Sequence, residues 1–225
     1  MTRRVALLVC LALLLVPQTR PGLMAQQAGT LRIYLARHGE TDWNVEHKLQ
    51  GMTDVPLNAN GRSQAAALAA MLKTIKVDAV YSSTLSRSRD TAETVAAGRL
   101  TVQSLDGLRE RNYGRFQGTP DTAPEYVKRA TVWDDTMDGG ESLAQLFTRT
   151  KESLDRVRRE HPSGNVLVVG HRITNQMALM ALMGFTQEQA VKIEQANDEV
   201  YLVELDPGAP PRLWKLIREK NIGDL

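Results

Sequence analysis

Six short apolar runs, separated by segments of helical spacing, leave few folds open to this chain. The runs cover 31–36, 77–81, 101–104, 166–169, 200–205 and 213–216, and their length and β-branched content read as strands. Between them, residues 61–75 set Ala65, Leu68, Met71 and Leu72 on one helical face, with Asn60 as the expected cap. Residues 85–97 and 142–160 repeat that pattern, the second through Leu143, Leu146, Phe147, Leu154 and Val157. Residues 174–183 are the most apolar of the four, as a buried helix would be. Strand alternating with helix predicts an α/β fold, a mostly parallel central sheet flanked by helices on both faces. The segment 119–140 carries prolines, aspartates and glycines and reads as a loop-rich insertion. No internal repeat occurs, and no linker follows residue 30.

The N-terminus follows a different rule. Arg3 and Arg4 precede an uncharged run from Val5 to Val16, and Pro17, Arg20, Pro21 and Gly22 break it before Ala25. A basic start, an apolar stretch of this length and a small residue near the break predict a secretory signal over 1–25. A short polar segment, 26–30, and one domain over 31–225 follow. The alternative is a retained membrane anchor, although the run falls short of the roughly 20 residues of a comfortable span. Cleavage removes Arg3, Arg4 and Arg20 and no acid, so the formal charge moves from +2 to −1. The basicity therefore belongs to the signal and gives no reason to expect a nucleic-acid partner. Cys10, the only cysteine, leaves with it, so the mature chain would hold neither disulfide nor thiolate. A periplasmic or secreted protein without stable membrane association is expected.

Four segments carry chemistry. The first is Ala36-Arg37-His38-Gly39-Glu40-Thr41, leaving the first strand and followed by Asn44, Gln50 and Gly51. A guanidinium beside an imidazole at a strand end suits holding a phosphoryl group and attacking it with a ring nitrogen. Gly39 would let the backbone come close to the phosphate. A strand-end histidine beside a chance arginine would look the same. The second is Ser82-Ser83-Thr84-Leu85-Ser86-Arg87-Ser88-Arg89, a strand entering a helix that Ser83 or Ser86 could cap. Arg87 falls in the first helical turn, where its fork can help bind an anion, whereas Arg89 reads as a solvated surface charge. The third, Arg109-Glu110-Arg111-Asn112-Tyr113-Gly114, offers Glu110 as the acid that a departing ester oxygen needs. A surface ion pair with Arg109 or Arg111 is its other reading. The fourth is the strand Val166–Val169 with Gly170-His171. There His171 is either a core residue or a second imidazole for charge on phosphoryl oxygens. His47 and His161 read as surface residues.

Together and in this order, these segments resemble the histidine phosphatase superfamily, the phosphoglycerate mutase-like fold, over residues 31 to 217. The matching features are Arg-His-Gly-Glu-Thr, Trp43-Asn44, the Ser-x-Leu-x-Arg segment ending in Thr91-Ala92, Glu110 before Tyr113-Gly114, and His171. The resemblance implies a phosphohistidine at His38, a phosphate pocket of Arg37, Arg87 and His171, and Glu110 as acid and then base. It adds Asn44, Gln50 and Gly51 as substrate-binding residues, and no metal or cofactor. His171 is followed by Arg172, not by the aspartate of the acid phosphatases and phytases. Gly139-Gly140-Glu141-Ser142 is similar to a segment of the mutases, but 119–140 is short and acidic where they carry a longer basic insertion. The small phosphatases, α-ribazole phosphatase-like and broad-specificity members among them, are nearer. A phosphatase for small phosphomonoesters is therefore expected. A mutase-type isomerase and a non-catalytic phosphate-binding module are the alternatives. Arg172, an extra cation, would favour substrates with a second anionic group or else face solvent.

Overall fold

The computed structural model describes residues 29–217 and 220–224, so the expected signal and Cys10 lie outside the described residues. Seven strands form one sheet, ordered β3-β2-β4-β1-β5-β6-β7. They are β1 (Leu31–Arg37), β2 (Ala79–Ser82), β3 (Val102–Ser104), β4 (Gly164–Gly170), β5 (Glu199–Leu205), β6 (Arg212–Ile217) and β7 (Lys220–Asp224). The first four run parallel, and β5, β6 and β7 extend the sheet antiparallel from β1.

The alternation of side chains along β1 decides what covers each face. Ile33 and Leu35 pack with Leu154 and Val157 of α5 (Leu143–Glu160) and with Ala178, Leu179 and Leu182 of α6 (Arg172–Met183). Tyr34 and Ala36 point the other way, onto Leu68 of α2 (Ala59–Met71), Leu72 beyond its end, and Ala92 and Val95 of α3 (Ser86–Ala96). The period of two along the strand thus gives the sheet helices on both faces, as expected. Each leucine fully buried this way contributes roughly 2 kcal/mol.

A third apolar cluster explains the segment 119–140. Tyr126, on the short helix α4 (Pro124–Arg129), packs with Met137, Phe116, Leu146 and Met177. Arg111 sits beneath, almost wholly buried, donating to the carbonyls of Glu141, Ala130 and Asp135 at 2.7–2.8 Å. The insertion is therefore loop-rich but anchored to α5 and α6. Two further short α-helices, α1 (Asp42–Val45) and α7 (Gln187–Ala190), are each begun by a threonine capping box.

Element ends moved where caps moved. Asn58, not Asn60, caps α2: its side-chain oxygen accepts from Gly61 N at 2.8 Å, and Asn60 is already helical. The helix stops at Met71, short of 75. Strand β7 has no apolar run to announce it, because it joins the sheet edge through backbone pairing with β6.

Gly39 also serves a purpose other than the expected one. A Cβ on Gly39 would stand 2.3 Å from Gly61 O, and one on Gly61 would stand 2.0 Å from Glu40 O. The two glycines let the loop after β1 rest backbone to backbone on the first turn of α2. Alanine in an exposed helix gains about 1 kcal/mol over glycine. Gly61→Ala should instead lose roughly 1–3 kcal/mol, because the contact is with backbone and nothing can swing aside. A urea melt of the variant checks the sign.

Candidate active site

Register places the two histidines. Arg37 of β1 pairs with Gly170 of β4 in parallel, so the next residues, His38 and His171, leave adjacent strands at the same level. Their rings lie 5.1 Å apart between centroids, and both side chains are buried. His38 Nδ1 lies 2.7 Å from Gly39 O. A carbonyl only accepts, so Nδ1 carries the proton and Nε2 keeps its lone pair. The loop is held from behind, where Asn197 Nδ2 donates to His38 O at 2.7 Å and Gly39 N donates to Thr91 Oγ1 at 3.0 Å.

His171 is oriented by Ser83, whose hydroxyl lies 2.7 Å from its Nε2. That hydroxyl oxygen also accepts from Leu85 N at 3.3 Å. The contact fixes the orientation of the His171 ring, whose Nδ1 has no partner within the protein. Ser83 does not cap α3, and neither does Ser86. Asp54 does so from outside the helix, accepting from both Ser86 N and Ser86 Oγ at 2.8 Å. The same loop holds Arg87, which donates to Thr53 O and Gly51 O, each at 2.8 Å. Gly51 thus meets Arg87 through its carbonyl, in a conformation with φ +53°.

Arg87 is wholly buried. Arg37 is fastened by one bond, from Nη1 to Gln195 O at 2.8 Å. Neither guanidinium has a hydrogen-bonded carboxylate, and burial pushes each down to about 10. Polar satisfaction marks the same spot. Among the described residues, five buried side-chain polar atoms lack a hydrogen-bond partner, and four of them are Arg37 Nε, Arg87 Nε, His171 Nδ1 and Gln50 Oε1. Unsatisfied buried groups are rare in folded proteins, and the two orphaned guanidinium donors among these suit an anion.

Glu110 is buried and faces the start of α6. Its carboxylate accepts from Arg111 N at 2.9 Å and from Ile173 N, Thr174 N and Thr174 Oγ1, each at 3.2 Å. The helix consequently begins at Arg172, two residues before the expected start. Arg149 fixes the loop behind, donating to the carbonyls of Gly107, Arg109 and Glu110 while paired with Glu141. Glu110 forms no ion pair with Arg109 or Arg111.

A pocket of about 70 Å³ collects Arg37, His38, Asn44, Gln50, Arg87 and Glu110, and adds Lys48, Leu49, Tyr113, Asp121 and Arg172. Asn44 spends its side-chain oxygen on Thr41, within the capping box of α1, which leaves its amide hydrogens for the pocket. Sequence reasoning passed over Ser83 as a partner of His171, and Lys48, Tyr113 and Asp121 as pocket walls; no local signal distinguished them. His47 and Arg89 are exposed, as read. His161 is partly buried, 3.0 Å from the hydroxyl of Tyr81 on the far side of the sheet.

Known proteins share this arrangement. The profile of the histidine phosphatase superfamily (branch 1) matches residues 33–216. A Bacillus subtilis (strain 168) protein named uncharacterized phosphatase PhoE is 35% identical over 153 residues, 68% of this chain and 77% of that one. The α-ribazole phosphatase of Shigella flexneri superposes with a TM-score of 0.70 at 25% identity, covering 78% of this chain and 91% of its own. A phosphoglycerate mutase from Bacillus anthracis str. Sterne gives 0.71 at 25%, covering 88% and 95%.

Burial, with Arg87 and Arg37 nearby, holds His38 well below its ordinary 6.5, and burial with Arg87 and His38 does the same to His171. Below that ordinary value the unfolded chain binds protons that the folded protein refuses. The stability linked to the neutral rings is complete above it and is lost as pH falls toward the folded values. Melting temperature should therefore fall between about pH 6.5 and pH 5. Replacing both histidines by asparagine should flatten that slope, as differential scanning fluorimetry would show.

Proposed function

This chain belongs to branch 1 of the histidine phosphatase superfamily, and we propose that it hydrolyses small phosphomonoesters through a phosphohistidine formed on His38. The observation that carries this reading is the tautomer of His38. Its Nδ1 proton is committed to Gly39 O, which leaves Nε2 as an uncharged nucleophile between two guanidiniums with unspent donors.

In the first step Nε2 attacks phosphorus, and the bond from phosphorus to the ester oxygen breaks. The leaving oxygen takes a proton from Glu110 and departs as an alcohol. Arg37, Arg87 and His171 meet the charge on the remaining phosphoryl oxygens, where preorganised donors are worth most. In the second step Glu110 removes a proton from water, the hydroxide oxygen bonds to phosphorus, and the phosphorus–nitrogen bond breaks to release phosphate.

The mutase reading has the Bacillus anthracis likeness in its favour. A mutase must keep its phosphoryl group from water and hold a second phosphate. Of the insertion's two cations, Arg129 pairs with Asp135 and Asp138, and Lys128 is exposed and lies outside the pocket lining. The insertion thus brings no cation of its own to the pocket, unlike the longer basic insertion of the mutases, and this favours hydrolysis.

Export is part of the proposal, supported by Arg3, Arg4, the apolar run to Val16 and Ala25. Mass spectrometry of the protein from the extracytoplasmic fraction should find an N-terminus within a few residues of 26. An intact residue 1 there would favour the membrane anchor.

The wild type should hydrolyse p-nitrophenyl phosphate in EDTA, and His38→Ala should abolish this and the alkali-stable phosphoenzyme seen on rapid quenching. Glu110→Gln should cost alkyl phosphates about 10²-fold or more in kcat, the range of general acid catalysis. Nitrophenol leaves without a proton, so the formation of the phosphoenzyme from its ester should be much less affected.

A further inference from the structure

Two cations on the pocket wall have no part in the phosphoryl chemistry, Lys48 and Arg172. Arg172 is the first residue of α6, next in sequence to His171, with 34% of its side chain exposed. Among the described residues its nearest carboxylate is Glu194, 3.6 Å away and itself 74% exposed. That separation exceeds hydrogen-bond length, and an ion pair so open to water contributes little. Among the described residues the guanidinium makes no hydrogen bond, so its donors are unspent on the pocket wall. It also stands close enough to Arg37 to be, after burial, the largest cause of that residue's lowered pKa. Two like charges set side by side are costly until an anion joins them.

Lys48 follows α1, with 39% of its side chain exposed and Glu46 2.6 Å away. The pocket is small, about 70 Å³, and both residues line it together with His38, so they lie near whatever a substrate seated there carries beyond its phosphoryl group. Asp121, the remaining charged wall residue, has His47 4.0 Å away.

We infer that Arg172, assisted by Lys48, forms a second anion subsite, and that the substrates this protein prefers are small phosphomonoesters bearing a carboxylate near the ester oxygen. A guanidinium fork matches the two oxygens of a carboxylate in parallel bonds, which a neutral hydroxymethyl group cannot reproduce. The inference rests on the hydrolase reading above.

The test compares kcat/KM for 3-phosphoglycerate and glycerol 3-phosphate, which differ only by a carboxylate in place of a hydroxymethyl group. The wild type should favour the carboxylate by about tenfold or more, the worth of one charge-assisted hydrogen bond. Arg172→Gln should collapse that ratio toward one, mainly through KM, and Arg172→Lys should restore part of it. Lys48→Gln should lower it by less. The ratio is the readout, so a general loss of activity in a variant does not obscure it. A wild-type ratio near one, or a ratio unchanged in Arg172→Gln, overturns the subsite and leaves the hydrolase standing. Absence of hydrolysis for both substrates and for p-nitrophenyl phosphate overturns the hydrolase reading, and the subsite with it.

Discussion

Everything at the site depends on the parallel pairing of β1 with β4. Matching Arg37 to Gly170 sets His38 beside His171, and a slip of one residue would turn each side chain to the opposite face of the sheet. The register is held by the alternation within both strands. Ile33, Leu35, Val166 and Val168 must reach one helical layer while Tyr34, Ala36, Leu167 and Val169 reach the other. The apolar core is in this sense the device that aligns the two histidines.

The charges are held by a consistent means. Arg87 is fastened by Gly51 O and Thr53 O, Arg37 by Gln195 O, and the loop of Glu110 by carbonyls that bond to Arg149. A carbonyl fixes a guanidinium without neutralising it, whereas a carboxylate would serve as its counter-ion and compete with substrate. Buried cations without a bonded carboxylate are costly to the free protein, a cost that the phosphate of the proposed reaction would offset. The carboxylate that is present, Glu110, takes its donors from the first turn of α6 instead, so it is held beside the arginines without forming a bidentate pair with either.

Much of this was legible in the chain. The six apolar runs became strands, the four periodic segments became helices, and His38, Arg37, Arg87, Glu110 and His171 came together. Where reading failed, the deciding atoms were distant in sequence. Gly39 is also needed because Gly61 lies against it, 22 positions on, a demand that local sequence does not show. The cap of α3 comes from Asp54, 32 positions back, while the nearby Ser83 serves His171, 88 positions ahead. Asn58 and Asn60 are equally good caps in composition, and only the path of the loop entering α2 chose between them.

The sequence by itself determined the strands and helices, because local periodicity reports which face of each element is apolar, and it determined the chemical types of the catalytic groups, because motifs preserve identity and order. The tertiary structure decided the tautomer of His38, the orientation of His171, the unspent donors on Arg37 and Arg87, and the placement of Arg172 and Lys48 on one pocket wall. The first three depend on which backbone carbonyl or hydroxyl lies within 3 Å of a given side-chain nitrogen. Such distances are set by how separate segments pack, and local pattern carries no record of them.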